Sequence, residues 1–311
     1  MRRFLRNLTI KEREGIASSI CYFSFLGLHL ISIKYLATVK KIDFLTIVTS
    51  TGSMVSLISI YRILMSTKKI NQNNIEETLL IFNGGIFAFF TFAGTIASLY
   101  WISLNKLILI LRLYPFLFLV YEYISNSYQI PQHIINCFIF NIICILFNLL
   151  NALDEQGPGI FIGLFSIISK VISTKYWKKS TGIKIDLMMF SIAFYSVGIG
   201  GYINMTFLGG KYNLDYFDWF LTILNAFFIY YSRIFVIKVV SSIINVDKII
   251  IMNFFCLNIL FFVDFVFFDV KFHISDVIIF LIGIDSIYFI KKLIDRSKMD
   301  KIKRLNYFLN E

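Results

Sequence analysis

Polar and charged side chains set inside apolar runs are the residues of this chain that can do chemistry. Asn83 and Asn225 each lie deep in such a run, 142 positions apart. A carboxamide supplies two donors and an acceptor, which suits a paired clamp on a small polar metabolite. Its plainer use is a hydrogen bond between helices, worth about 0.6–2 kcal/mol in a membrane. His29 and Lys170 stand 141 positions apart. Lys170 falls near the middle of its run, where a charge costs about 3 kcal/mol by insertion scales. A wet cavity or an acidic partner is therefore expected there, and the ammonium suits a carboxylate or phosphate ligand. The alternatives are a structural ion pair, or a lysine reaching along its stem to the interface. His29 lies nearer the outer end of its run, and its plainer use is as a satisfied packing residue. Arg233 and Arg112 add two more charges within apolar runs, Arg233 close enough to an end to reach headgroups. Glu122 and Asp264 lie 142 apart near the ends of their runs. Asp285 stands in another run without a counterpart. These three acids are gating or coupling candidates, since intramembrane carboxylates often titrate, with structural pairing as the alternative.

The runs that carry these residues set the class. Charged residues make up 16% of the 311, against about a quarter in soluble domains, and the mean hydropathy is +0.75. Ten stretches of about 20 apolar residues follow one another, enough for a helix to cross a bilayer core. They cover roughly 15–33, 44–66, 78–101, 107–124, 133–153, 159–177, 187–208, 217–240, 249–269 and 274–290. Backbone groups in lipid must bond within their own segment, and the alternating pattern of a barrel is absent from the sequence, so the runs predict helices. The expected fold is all-α, a polytopic integral membrane protein with ten transmembrane helices.

The net charge of +11 suggests nucleic acid until its distribution is considered. With a cytoplasmic N-terminus and alternating spans, most Lys and Arg residues fall on the inner side. That is the positive-inside rule, and it places both termini in the cytoplasm. The expectation is membrane lipid and a small-molecule substrate as partners, no nucleic acid, and a monomer or homodimer. The basic N-terminus (1–14) and basic tail (291–311) flank the spans as topology determinants, and the tail also suits anionic headgroups. The four cysteines all lie in apolar runs without a Cys-x-x-Cys, so they read as packing residues rather than disulfides or metal ligands. No metal and no cofactor is expected. The basic start followed by an apolar run mimics a secretory signal and reads better as a retained first span. Richness in Phe, Ile, Asn, Lys and Tyr points to an AT-rich bacterial genome, hence to the cytoplasmic (inner) membrane.

Internal repetition gives the architecture. Ser32-Ile33-Lys34-Tyr35 returns as Ser173-Thr174-Lys175-Tyr176, and Lys41-Ile42-Asp43 returns as Lys184-Ile185-Asp186. Lys106 and Lys248 keep the step of 142 seen for Asn83 and Asn225. Matching apolar letters mean little in a chain that is 58% hydrophobic; matching polar ones carry the argument. The copies are expected at 15–153 and 159–290, joined by the acidic Gly/Pro stretch Asp154–Gly159. Five spans per copy force the second to enter the membrane from the opposite face. Such inverted repeats are a recurrent plan of secondary transporters.

The Lys-Tyr that closes the first span of each half, Pro115 early in the fourth, and the acids Glu122 and Asp264 resemble the drug/metabolite transporter superfamily, EamA type. The resemblance spans residues 15–292. It implies ten helices, alternating access, and a central cavity lined mainly by the first, third, sixth and eighth spans. Asn83, Asn225, Lys170, His29 and Arg233 then become candidate substrate-binding residues. Helix-end acids such as Glu122 and Asp264 are, in that family, packing or gating residues. The chain departs from the family in a phenylalanine-rich third span and in Arg62, which comes late in the second span. The implied function is transport of a small polar metabolite, an amino acid or related compound with an anionic group. Within the superfamily an S-adenosylmethionine-type carrier is the alternative. An intramembrane Mg-dependent transferase, using Asp215, Asp218, Asp264 and Asp269 as oxygen ligands, is the rival of another class. A scaffold or lipid-binding role leaves Lys170 without a task.

Overall fold

The computed structural model describes residues 10–65, 75–114, 153–179, 185–209 and 214–242, with isolated helical positions at 117, 120, 121, 124, 139, 142, 143, 146, 149, 266 and 268. All regular structure among them is helical: α1 Ile10–Thr38, α2 Phe44–Met65, α3 Ile75–Ser98, α4 Leu104–Arg112, α5 Leu153–Lys179, α6 Ile185–Tyr195, α7 Gly201–Leu208 and α8 Tyr216–Ser242. A π-helical turn, Ser196–Gly200, joins α6 to α7 into one membrane-length rod. Among the described residues, five stretches are long and apolar enough to cross a bilayer: Ile20–Thr38, Phe44–Met65, Ile75–Ser98, Gln156–Tyr176 and Ile185–Phe207. The helix α2, of 22 residues, runs for about 33 Å, close to the thickness of a hydrocarbon core.

The hydroxyl residues of α2 show how a polar sequence is made compatible with lipid. Thr49, Ser50, Ser53 and Ser59 each donate to the carbonyl four residues back, at 2.6–2.8 Å. Each side chain is thus satisfied within its own helix. Caps set the helix starts. Asp43 accepts from the Thr46 amide at 2.8 Å. Asp215 and Asp218 cap α8 reciprocally, each carboxylate accepting from the other's backbone amide at 2.8 and 3.2 Å.

Among the described residues two seams dominate the packing, α3 along α5 and α1 along α8. The helix α2 lies against α6 and also touches α8, α3 touches α6, and the short α4 leans on α5. Leu30, Ile33, Ile96, Ile108, Ile167 and Tyr230 are among the side chains fully buried between them.

The stretch Asp154–Gly159 is helical and forms the first part of α5, with Pro158 inside the helix. Its acids suit the positive end of a helix. Its glycine has a packing role: a Cβ on Gly159 would lie 2.5 Å from Trp101 Cβ and 2.8 Å from Ile102 Cγ2. Only a bare backbone lets α5 pass the turn between α3 and α4 so closely. Most of the expected fifth span, and nearly all of the ninth and tenth, lie outside the described residues.

Candidate ligand cavity

A cavity of about 60 Å³ opens between α1, α3, α4, α5 and α8. Its polar wall is made by Tyr22 and His29 of α1, Thr91 and Thr95 of α3, Lys170 of α5, and Ser232 and Arg233 of α8. Helical periodicity explains the convergence. Tyr22, Leu26 and His29 follow at i, i+4 and i+7, and all three line the cavity. Asn225, Ile229 and Arg233 form the facing stripe of α8, at i, i+4 and i+8.

His29 is 4% exposed and is held on two sides. Its Nδ1 lies 2.5 Å from Asn225 Oδ1. The Asn225 amide nitrogen donates to Thr51 Oγ1 at 3.3 Å, with the amide oxygen on the ring side. An amide oxygen only accepts, so His29 Nδ1 carries the proton. The ring also stacks on Phe92, centroids 6.0 Å apart and planes at 24°.

Lys170 sits across the cavity with its ammonium 4.3 Å from the centroid of the Tyr114 ring, a cation–π contact. The Tyr114 hydroxyl is hydrogen-bonded to Thr174 Oγ1 at 3.0 Å, so the ring face stays turned to the lysine. On the α3–α5 side the hydroxyls of Thr95 and Ser166 are 2.9 Å apart. Among the described residues of the lining there are three basic side chains and no Asp or Glu. A basic wall with hydroxyl neighbours and one aromatic face is suited to a compact anion.

Of the residues expected at the site, His29, Lys170 and Arg233 come together, and Asn225 supports the site from behind His29. Asn83 does not join them. It is exposed on α3, whose buried face at that level is Ile81, Gly84 and Gly85. Glu122, Asp264 and Asp285 lie outside the described residues, as does the side chain of Arg112. Tyr22, Tyr114 and Thr51 were not anticipated; the i, i+7 spacing of Tyr22 to His29 is the signal that marks the first of them.

Two ion-pair clusters flank the bundle at opposite ends of α2. Before its first turn, the Lys40 ammonium lies 2.8 Å from Asp215 Oδ2 and 3.2 Å from Asp218 Oδ1, and 5.6 Å from the Phe217 ring centroid. The hydrogen bond from Lys40 holds the Asp215 carboxyl below its ordinary range and raises Lys40 in turn. In the last turn of α2, Arg62 Nε lies 3.1 Å from Asp186 Oδ1, which also accepts from the Tyr230 hydroxyl. Lys34, at the end of the first span, is buried, and its ammonium donates to the carbonyls of Leu99 and Ile102 at 2.9 and 3.0 Å.

No known family matches the sequence, and no curated protein does. Twenty-two solved chains are similar in structure. One crystal structure of a protein superposes with a TM-score of 0.58 over 89% of this chain and 99% of its own, at 11% identity. At that identity the likeness shows a shared fold and nothing of the chemistry.

Proposed function

We propose that the chain is a secondary transporter that moves a small metabolite bearing an anionic group across a bacterial cytoplasmic membrane by alternating access. In this reading it has ten spans in two inverted five-helix halves, like EamA-type members of the drug/metabolite transporter superfamily. The observation that carries the reading is the basic cavity at the junction of the two halves. His29 and the α3 threonines come from the first half, Lys170 and Arg233 from the second.

The packing supports the inverted repeat. Counted as spans, α5 is the sixth, α6 with α7 the seventh, and α8 the eighth. Shifting each span by five turns the third–sixth seam into the eighth–first seam, and these are the two dominant interfaces. The same shift turns the third–seventh contact into the eighth–second, and both are present. A bundle built on such exchanges can rock its halves about one site. The clusters at Lys40 and Arg62 each tie α2, or the turn before it, to elements of the second half, at opposite ends. Breaking one while keeping the other opens one side alone. Asp215 and Asp218, the acids that a magnesium-dependent transferase would need, hold Lys40 instead.

The test is a thermal-shift screen of the purified protein with amino acids, nucleosides, S-adenosylmethionine and simple organic anions, followed by uptake into vesicles. A ligand that binds only the folded state raises the melting point by mass action. An anionic metabolite should stabilise the wild type, and Lys170→Ala should lose both that stabilisation and uptake while still inserting. Unimpaired uptake by Lys170→Ala would remove the cationic site. Stabilisation only by Mg²⁺ with a prenyl diphosphate would favour the transferase.

A further inference from the structure

We infer that the Thr51–Asn225–His29 relay makes the cavity select anions that carry a hydrogen-bond donor beside the carboxylate, and reject the oxo analogue of the same skeleton. The inference rests on the transporter reading and narrows its substrate class to compact hydroxy or amino acids.

The relay begins outside the cavity. Thr51 Oγ1 takes the Asn225 amide N–H at 3.3 Å, and the Asn225 oxygen takes the His29 Nδ1 proton at 2.5 Å. With Nδ1 protonated, the neutral ring presents Nε2 as a bare acceptor. Asn225 and Thr51 are not part of the lining, whereas His29 is. The Nδ1 edge is therefore turned away from the cavity and the Nε2 edge toward it. His29 lines the cavity while its Nδ1 is engaged by Asn225, so Nε2 is the ring nitrogen that a ligand donor meets, and a ligand offering only acceptors there leaves that pairing unmade. Phe92 stacked on the ring prevents it from swinging away.

Size agrees with this chemistry. About 60 Å³ corresponds to roughly four to six water-sized positions at 10–15 Å³ each, enough for a carboxylate with two or three further heavy atoms. The carboxylate goes to the basic side at Lys170, and the hydroxyl or amino group to His29. An oxo group in the same place sets two acceptors against each other, the situation in which polar sites discriminate most strongly.

Lactate, alanine and pyruvate are the probes, measured by calorimetry on the detergent-solubilised full chain, with acetate as the minimal anion. Wild type should bind lactate or alanine at least about tenfold more tightly than pyruvate. In Thr51→Val and in Asn225→Leu the tautomer is released, Nε2–H can then donate to the oxo group, and the ratio should fall toward one as pyruvate gains affinity. The Thr51→Val change is near-isosteric and keeps the inference testable if Asn225→Leu does not fold. Equal binding of lactate and pyruvate by wild type overturns the inference, as does a preference that survives in Thr51→Val and every folded Asn225 variant. Binding that is indifferent to the hydroxyl but lost in Lys170→Ala overturns this inference alone. If none of the four probes binds, the compact-acid class is refuted, and the outcome of the wider screen then decides the transporter reading separately.

Discussion

Replacing Lys34 by methionine keeps the aliphatic stem that packs in the core and removes the ammonium that ties α1 to the end of α3. The ammonium is almost wholly enclosed, the residue being 8% exposed, and it donates to Leu99 O at 2.9 Å and Ile102 O at 3.0 Å. Those carbonyls follow the last turn of α3, where helix carbonyls lack partners of their own and a cation is favoured. A hydrogen bond to a charged group contributes about 1.5–3 kcal/mol, so two give about 3–6 kcal/mol before compensation. The lost desolvation penalty of the ammonium offsets part of this, and a net loss of about 2–4 kcal/mol is expected. Trp101 stands between the two carbonyls and gives a local fluorescence probe. Unfolding in mixed micelles with increasing SDS should move to lower denaturant in Lys34→Met, with little change in the transition of Thr38→Val at the exposed end of the same helix. A Lys34→Met protein as stable as wild type would refute the idea that this lysine is a structural tie.

Other outcomes follow from the packing and the ion pairs. Gly159→Ala should destabilise by about 1–3 kcal/mol through overpacking against Trp101 and Ile102, read in the same unfolding assay. The Lys40–Asp215 contact should hold across neutral pH. Asp215 is depressed in the folded state, so its contribution is present above the ordinary aspartate value of 3.8 and is lost as pH falls through the folded value. Lys40 is raised, so its contribution is full below 10.5 and is lost as pH rises through the folded value. Spin labels on either side of the contact should therefore separate at both extremes, and in high salt, because the pair is exposed. Asp186→Asn should loosen the opposite end, increasing alkylation of a cysteine introduced at Ser232 of the cavity lining. Asp215→Asn should leave that alkylation unchanged when the reagent is added from the Arg62 side.

The helices were legible because apolar length is a direct physical requirement: α2 was expected at 44–66 and runs Phe44–Met65. His29, Lys170 and Arg233 were legible for the converse reason, since a charge or imidazole in an apolar span needs a polar environment. Asn83 shows where that reasoning stops. Alignment by a constant step finds equivalent letters, but one residue of rotation turns a helix by about 100°, and Asn83 faces outward while Asn225 faces His29. Lys34 and Lys40 look alike in the sequence, two lysines near the end of one helix. Lys34 is buried against α3 and Lys40 meets Asp215, 175 positions away. Long-range partners of that kind leave no local pattern to read. The segment Asp154–Gly159 carries the letters of a loop, and the close passage of the turn between α3 and α4 gives its glycine a different reason.

The seam between α1 and α8 also governs the order of biosynthesis. His29 waits 196 residues for Asn225, so during translation α1 is made long before the side chain that satisfies it exists. At synthesis rates of about 5–20 residues per second, the imidazole spends on the order of ten seconds or more without its amide. The nascent first helix must meanwhile find water, a headgroup or an insertion chaperone. Messages that slow the ribosome before α8 would prolong that exposure and raise the share of chains lost to quality control.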